Sequence, residues 1–178
     1  AIVLGRTLVA AAVLAVVVRW RSGTIASPGT GIAANGVILA VHWVAFFAAI
    51  QMSTVAIGLL GYASFPLFVP LLERLLLGVR HRRSAWIQAT LVACGLAMLV
   101  PDLRWESDHL RGLGWGIVSG FTFAWMTVRT RRIGAGHRSD VVALWQNAVA
   151  AVCVAPIVLA QGGPGGPFTG VVLLQMAA

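Results

Sequence analysis

Charge is what this sequence has least of. Only 10% of its 178 residues are charged, against roughly a quarter in an average soluble domain. Hydrophobic residues make up 59%, and mean hydropathy is +0.89. So little polar surface cannot coat a soluble globule, and a soluble domain is excluded. Cysteine is nearly absent as well. The two present, Cys94 and Cys153, lie in separate apolar stretches, which excludes a disulfide framework or a cysteine metal site and leaves apolar thiols. Zinc-type His-Glu-x-x-His, a phosphate-binding glycine loop and a paired-aspartate motif are all missing, and with them the commonest signs of catalysis. Ser119, in the run Gly116-Ile117-Val118-Ser119-Gly120, misses the Gly-x-Ser-Gly spacing of an intramembrane serine protease, and no histidine sits in a matched helix. The expectation is therefore a protein that is not an enzyme and carries no cofactor.

What is present is a series of long apolar runs. About 20 helical residues cross about 30 Å of hydrocarbon, and only a backbone that satisfies its own hydrogen bonds survives there. The pattern predicts an all-α polytopic membrane helix bundle with spans over residues 1–18, 32–51, 54–78, 85–100, 110–129 and 140–160. Ser53 and Thr54 cap the third of these, Pro66 and Pro70 kink it, Ser84 caps the fourth, and Ser139 with Asp140 caps the sixth. A further apolar segment begins near Thr169 after the Gly/Pro turn at 162–167. The chain starts inside one apolar run without Met and stops inside another, so a piece of a longer protein is expected.

The few charges are placed alternately. Arg19 and Arg21 follow the first run, Arg80, Arg82 and Arg83 the third, and Arg129, Arg131, Arg132 and Arg138 the fifth. The turn at Ser53 and the turn at 162–167 carry none, while the stretch 102–111 mixes Asp102, Glu106 and Asp108 with Arg104 and Arg111. Cytoplasmic loops collect arginine, so the first set is expected in the cytoplasm and the second outside. The net charge of +8 is then an orientation signal and not a nucleic-acid surface. Because arginine follows the first apolar run and does not precede it, that run is not a signal peptide.

An internal repeat accompanies this pattern. Residues 5–13, GRTLVAAAV, align with residues 145–153, WQNAVAAVC, and residues 36–39, GVIL, with residues 170–173, GVVL. Five spans separate the paired elements, and an odd number inverts the second copy, as the arginine placement also requires. Inverted repeats characterise secondary transporters, whose binding site lies between the halves near the bilayer midplane.

The stretch from His42 to Ile50, HWVAFFAAI, followed by STVAIG at 53–58 and Pro66-Leu67-Phe68, is similar to helices three and four of EamA-type drug/metabolite transporters. The Arg6 helix resembles their second helix, and Trp86-Ile87 with Gly95 their fifth. The resemblance implies an inverted-repeat secondary transporter of ten helices, of which residues 1–100 would supply helices two to five and residues 110–178 helices six, seven and the start of eight. It further implies a multi-pass protein of the bacterial inner membrane whose partners are the lipid bilayer and a small-molecule solute, with a homodimer left open and no nucleic acid. The Gly-Glu-Arg that usually ends the family's fourth helix is absent, since Val79 and Arg80 follow Gly78. The alternative class is a non-transporting structural or regulatory membrane subunit.

Two ladders of small residues, Gly112, Gly116, Gly120 and Ala124, and Ala85, Ala89, Ala93 and Ala97, have the four-residue spacing through which membrane helices approach closely. Polar residues inside spans are the site candidates, because burying them in lipid is costly. Asn35, His42 and Ser53 fall within roughly 20° of one line at 100° per residue, with Phe46 nearby. His42 reads either as a substrate contact or proton-sensitive group, or as a neutral histidine bonded to a neighbouring helix's backbone. Gln146, Asn147, Trp43, Trp125 and Trp145 are the remaining cavity candidates, set against capping or interfacial roles. Glu73, beside Arg74, is expected to snorkel toward the cytoplasm, with a coupling carboxylate as the alternative reading.

Overall fold

In hydrocarbon every backbone N–H and C=O needs a partner within the chain, and the apolar runs meet that need as helices. The computed structural model describes residues 2–25, 27–79, 83–99, 107–134 and 136–160, apart from the side chains at 85, 93, 96, 97 and 99. Among the described residues the chain is all-helical: α1 (Ile2–Ser22), α2 (Thr30–Met52), α3 (Val55–Tyr62), α4 (Phe65–Leu77), α5 (Arg83–Leu99), α6 (Asp108–Ile133) and α7 (Ser139–Ala160). Four stretches are long and apolar enough to cross a membrane: α1, α2, α3 with α4, and α7. At 1.5 Å per residue, 21 to 23 residues reach about 31 to 35 Å. The expected apolar segment near Thr169 and the turn at 162–167 lie outside the described residues, as do Arg80 and Arg82.

The third expected span is not one kinked helix. It is broken between Tyr62 and Phe65, because Pro66 has no N–H to give the Tyr62 carbonyl and so interrupts the i to i−4 ladder. Pro66 instead sits in the first turn of α4, where a missing N–H costs nothing. Thr54 does cap α3, its hydroxyl accepting from Ile57 N at 3.2 Å. Gly78, at φ 67°, closes α4 in the left-handed conformation that glycine adopts without strain.

Other expected boundaries move outward. α1 runs on through Arg19 and Arg21 to Ser22, since cations are favourable in a last turn. α6 starts after Ser107, whose hydroxyl accepts from Leu110 N, and ends beyond Arg131 and Arg132. Ser84 lies inside α5, which begins at Arg83, and is not its cap.

The chain divides into two compact units, residues 1–40 with 136–178, and residues 41–135. In the first, Val18, Val141 and Leu144 form a buried cluster flanked by Ala11, Leu14, Ala15 and Trp145, which joins α1 to α7. Most of α1 otherwise stays exposed, with only Thr7 and Val18 buried, and Val9, Val13 and Val16 form an outward apolar face.

In the second unit α6 is the central element. Its buried stripe, Gly112, Gly116, Ser119, Gly120, Ala124 and Val128, meets one partner after another. Gly112 lies against Ser53 and the Ala49 carbonyl, Gly116 against Gly61, and Gly120 against Ser64, the Tyr62 carbonyl and Phe65 N. Ala124 and Val128 pack with Leu72 of α4. The α6 ladder is thus a helix interface as its spacing predicts. Of the alanine ladder only Ala89 has a described side chain besides its helix position, and it is buried; the other three lie outside the described side chains.

Candidate functional site

The middle of the second unit holds a buried histidine walled by aromatic rings. His42 lies halfway along α2 and is 3% exposed. Its Nδ1 stands 3.0 Å from the Ser119 carbonyl and 2.9 Å from the Ser119 hydroxyl of α6. A neutral ring protonated at Nδ1 donates to the carbonyl, with the hydroxyl as a second acceptor. With the other tautomer, the hydroxyl donates to Nδ1. The hydroxyl contact therefore survives either tautomer, because Ser119 can rotate its O–H, while the carbonyl contact is a hydrogen bond only with the proton on Nδ1.

Around this pair the rings are continuous. His42 is 4.9 Å from Trp43, 5.3 Å from Phe123, 5.6 Å from Tyr62 and 6.3 Å from Phe46, centroid to centroid. Tyr62 in turn touches Phe46, Phe65 and Phe123 at 5.4 to 5.8 Å. These separations are those of favourable offset and edge-to-face pairs. The break between α3 and α4 brings Tyr62 and Phe65 here, one from each side of the interruption. A flat apolar solute, or a cation over a ring face, matches such walls chemically, and the imidazole adds a polar group among them.

Of the expected stripe, Asn35, 0% exposed, belongs to the first unit, and His42 and Ser53 belong to the second. Ser53 is 11 residues from His42, a rise of about 16 Å, and its buried Oγ has no hydrogen-bond partner among the described residues; it faces Gly112. Phe46 joins the rings around His42 as its position on the helix suggests. Trp125 instead packs with Phe121 at 5.8 Å and flanks the Leu72, Ala124 and Val128 cluster.

Trp145, Gln146 and Asn147 lie in the first unit. Trp145 packs on the α1–α7 cluster. Asn147 returns its Nδ2 to the Ala143 carbonyl of its own helix at 2.9 Å. Gln146 is buried at 8% exposure, and its carbonyl stands where a Cβ on Gly36 would meet it at 3.0 Å, which explains the glycine of α2 at that point.

Glu73 corrects another expectation. It is 4% exposed and does not snorkel outward; Arg131, from the last turn of α6, reaches in to form an ion pair with it. Sequence reasoning missed this partner because the two are far apart in the chain. It also missed Ser119, Tyr62, Phe65 and Phe123. Ser119 had a signal: it adjoins Gly120 on the ladder, so it must face the same interface. The rings had none, since their convergence depends on the helix break. Among the described residues no group of His, Cys, Asp and Glu could hold a metal ion.

No protein-family model, curated protein or solved structure matches the chain.

Proposed function

We propose that the chain is part of an EamA-like secondary transporter of the inner membrane, which moves a small metabolite, amino acid or drug-like solute by alternating access, with the His42 cluster as a solute contact. The observation that carries this reading is His42 itself: an ionisable residue buried midway along a helix able to span a membrane. Ionisable groups at such depth are expensive and are retained chiefly where they serve a function. The broken span formed by α3 and α4 adds support, because interrupted helices at membrane depth are a recurrent feature of transporter binding sites. The repeat between residues 5–13 and 145–153 is the basis for two inverted halves, and the solute would be released as they rock.

The test is flux in reconstituted vesicles holding a pool of candidate solutes under a set pH gradient. His42→Ala should lower flux by about tenfold or more, the loss expected for one well-made polar contact, with expression and thermal stability near wild type. His42→Gln keeps hydrogen bonding to Ser119 but cannot titrate. Retained flux with a flattened pH dependence assigns proton sensing, and flux lost in both variants assigns direct contact. Normal flux in both variants would make His42 a packing residue and overturn the site.

A further inference from the structure

Where α1 ends, its apolar face gives way to a depression lined by Arg21, Arg138, Ser139 and Asp140. Arg21 comes from the last turn of α1, and the other three from the start of α7 and the residue before it. All four belong to the first compact unit. In a chain with 10% charged residues, a depression to which three charged residues contribute is itself unusual.

The charges in it do not balance. Arg138 grips Asp140 with both arms, Nε donating to Oδ1 at 3.2 Å and Nη2 to Oδ2 at 2.6 Å, and the hydrogen bond to that carboxylate raises the Arg138 pKa above its ordinary value. Arg21 approaches the same carboxylate with one nitrogen at 3.9 Å, beyond hydrogen-bond distance, and its side chain is 61% exposed. One carboxylate thus answers two guanidinium groups. The fork of Arg21, able to hold a phosphate through two parallel N–H donors, remains open to a second anion.

Its depth is set by the neighbouring turn. Val9, Val13 and Val16 carry the outward apolar face along α1 to Trp20, which is 86% exposed. Apolar surface, then an exposed tryptophan, then arginine is the order of groups met on leaving a bilayer. The depression therefore opens at headgroup level. Ser139 lines the same space at the start of α7, where the helix dipole is positive.

We propose that this depression binds the phosphodiester of an anionic phospholipid headgroup, with Arg21 as the main donor and Arg138 held in place by Asp140. A zwitterionic headgroup carries its own cation into a pocket of net positive charge and is disfavoured. The site does not depend on whether the protein transports a solute.

The test uses the full chain in detergent, titrated separately with phosphatidylglycerol, phosphatidylcholine and inorganic phosphate, with bound lipid counted by native mass spectrometry and thermal unfolding followed in parallel. Phosphatidylglycerol should bind and raise the unfolding temperature, and phosphatidylcholine should not at the same mole fraction. Arg21→Gln should weaken phosphatidylglycerol binding about fivefold, the share of one arginine at an anionic surface. Arg19→Gln removes the same charge from the same turn outside the depression and should weaken binding clearly less. Equal binding of the two lipids, equal losses in Arg19→Gln and Arg21→Gln, or saturation by inorganic phosphate that leaves no further lipid effect would each overturn the proposal.

Discussion

At the scale of single residues, the energetics turn on how buried polar groups are matched. Glu73 and Arg131 are an unequal pair, one side chain 6% and the other 65% exposed. Losing Arg131 takes its ion-pair partner from a buried carboxylate, whereas losing Glu73 leaves a guanidinium that water still solvates. Arg131→Gln should therefore lower stability by about 1 to 3 kcal/mol, and Glu73→Gln by clearly less. Thermal unfolding in detergent decides this, and equal losses would show that burial of the carboxylate is not the controlling factor. Ser53 and Ser64 present the opposite case: each has a buried Oγ with no hydrogen-bond partner among the described residues, and each lies against a glycine of α6. Their small volume at the crossing accounts for serine there, at the cost of an unsatisfied hydroxyl.

At the scale of elements, α6 works through its glycines. A Cβ on Gly116 would stand 2.8 Å from Gly61 Cα and 3.0 Å from the Gly58 carbonyl, while one on Gly114 would meet nothing within 4 Å. The obstacles at Gly116 are backbone atoms, which cannot swing aside. Gly116→Leu should thus separate α3 from α6 and cost about 3 kcal/mol or more, and Gly114→Leu, two residues away on the open side, should be tolerated. Comparison of their unfolding temperatures separates a packing effect from a change in helix propensity, which is common to both. The α3 terminus offers a milder check: Thr54→Ala, which removes the hydroxyl from Ile57 N, should cost about 1 kcal/mol.

At the scale of the whole molecule, the arginine pattern makes a topological prediction. With Cys94 and Cys153 replaced, single cysteines at 19 and 131 should react with a membrane-impermeant thiol reagent only after the cytoplasmic face is opened, and one at 108 from outside in intact cells. Labelling of position 131 from outside would overturn the orientation and, with it, the inverted repeat.

Much of this fold was legible in the amino-acid order because the bilayer demands so little ambiguity: hydrogen-bonding a backbone in hydrocarbon leaves the helix as the solution for each apolar run, and small residues four apart mark where helices approach. Thus the helices, the Thr54 cap and the α6 interface follow from local sequence, although among the described residues only four of the six expected spans, without α5 and α6, are long and apolar enough to cross a membrane. The candidate site does not. Asn35 and His42 on α2 and Ser53 just past its end share a line at helical spacing, yet what each of them meets depends on what packs against its turn, and for His42 and Ser53 that is decided by the break at Pro66 and by the glycines that let α6 come close. The partner of Glu73 is likewise a matter of two helix ends meeting, 58 residues apart in number between 73 and 131. Periodicity along one helix states which groups face together; only tertiary packing states what they face.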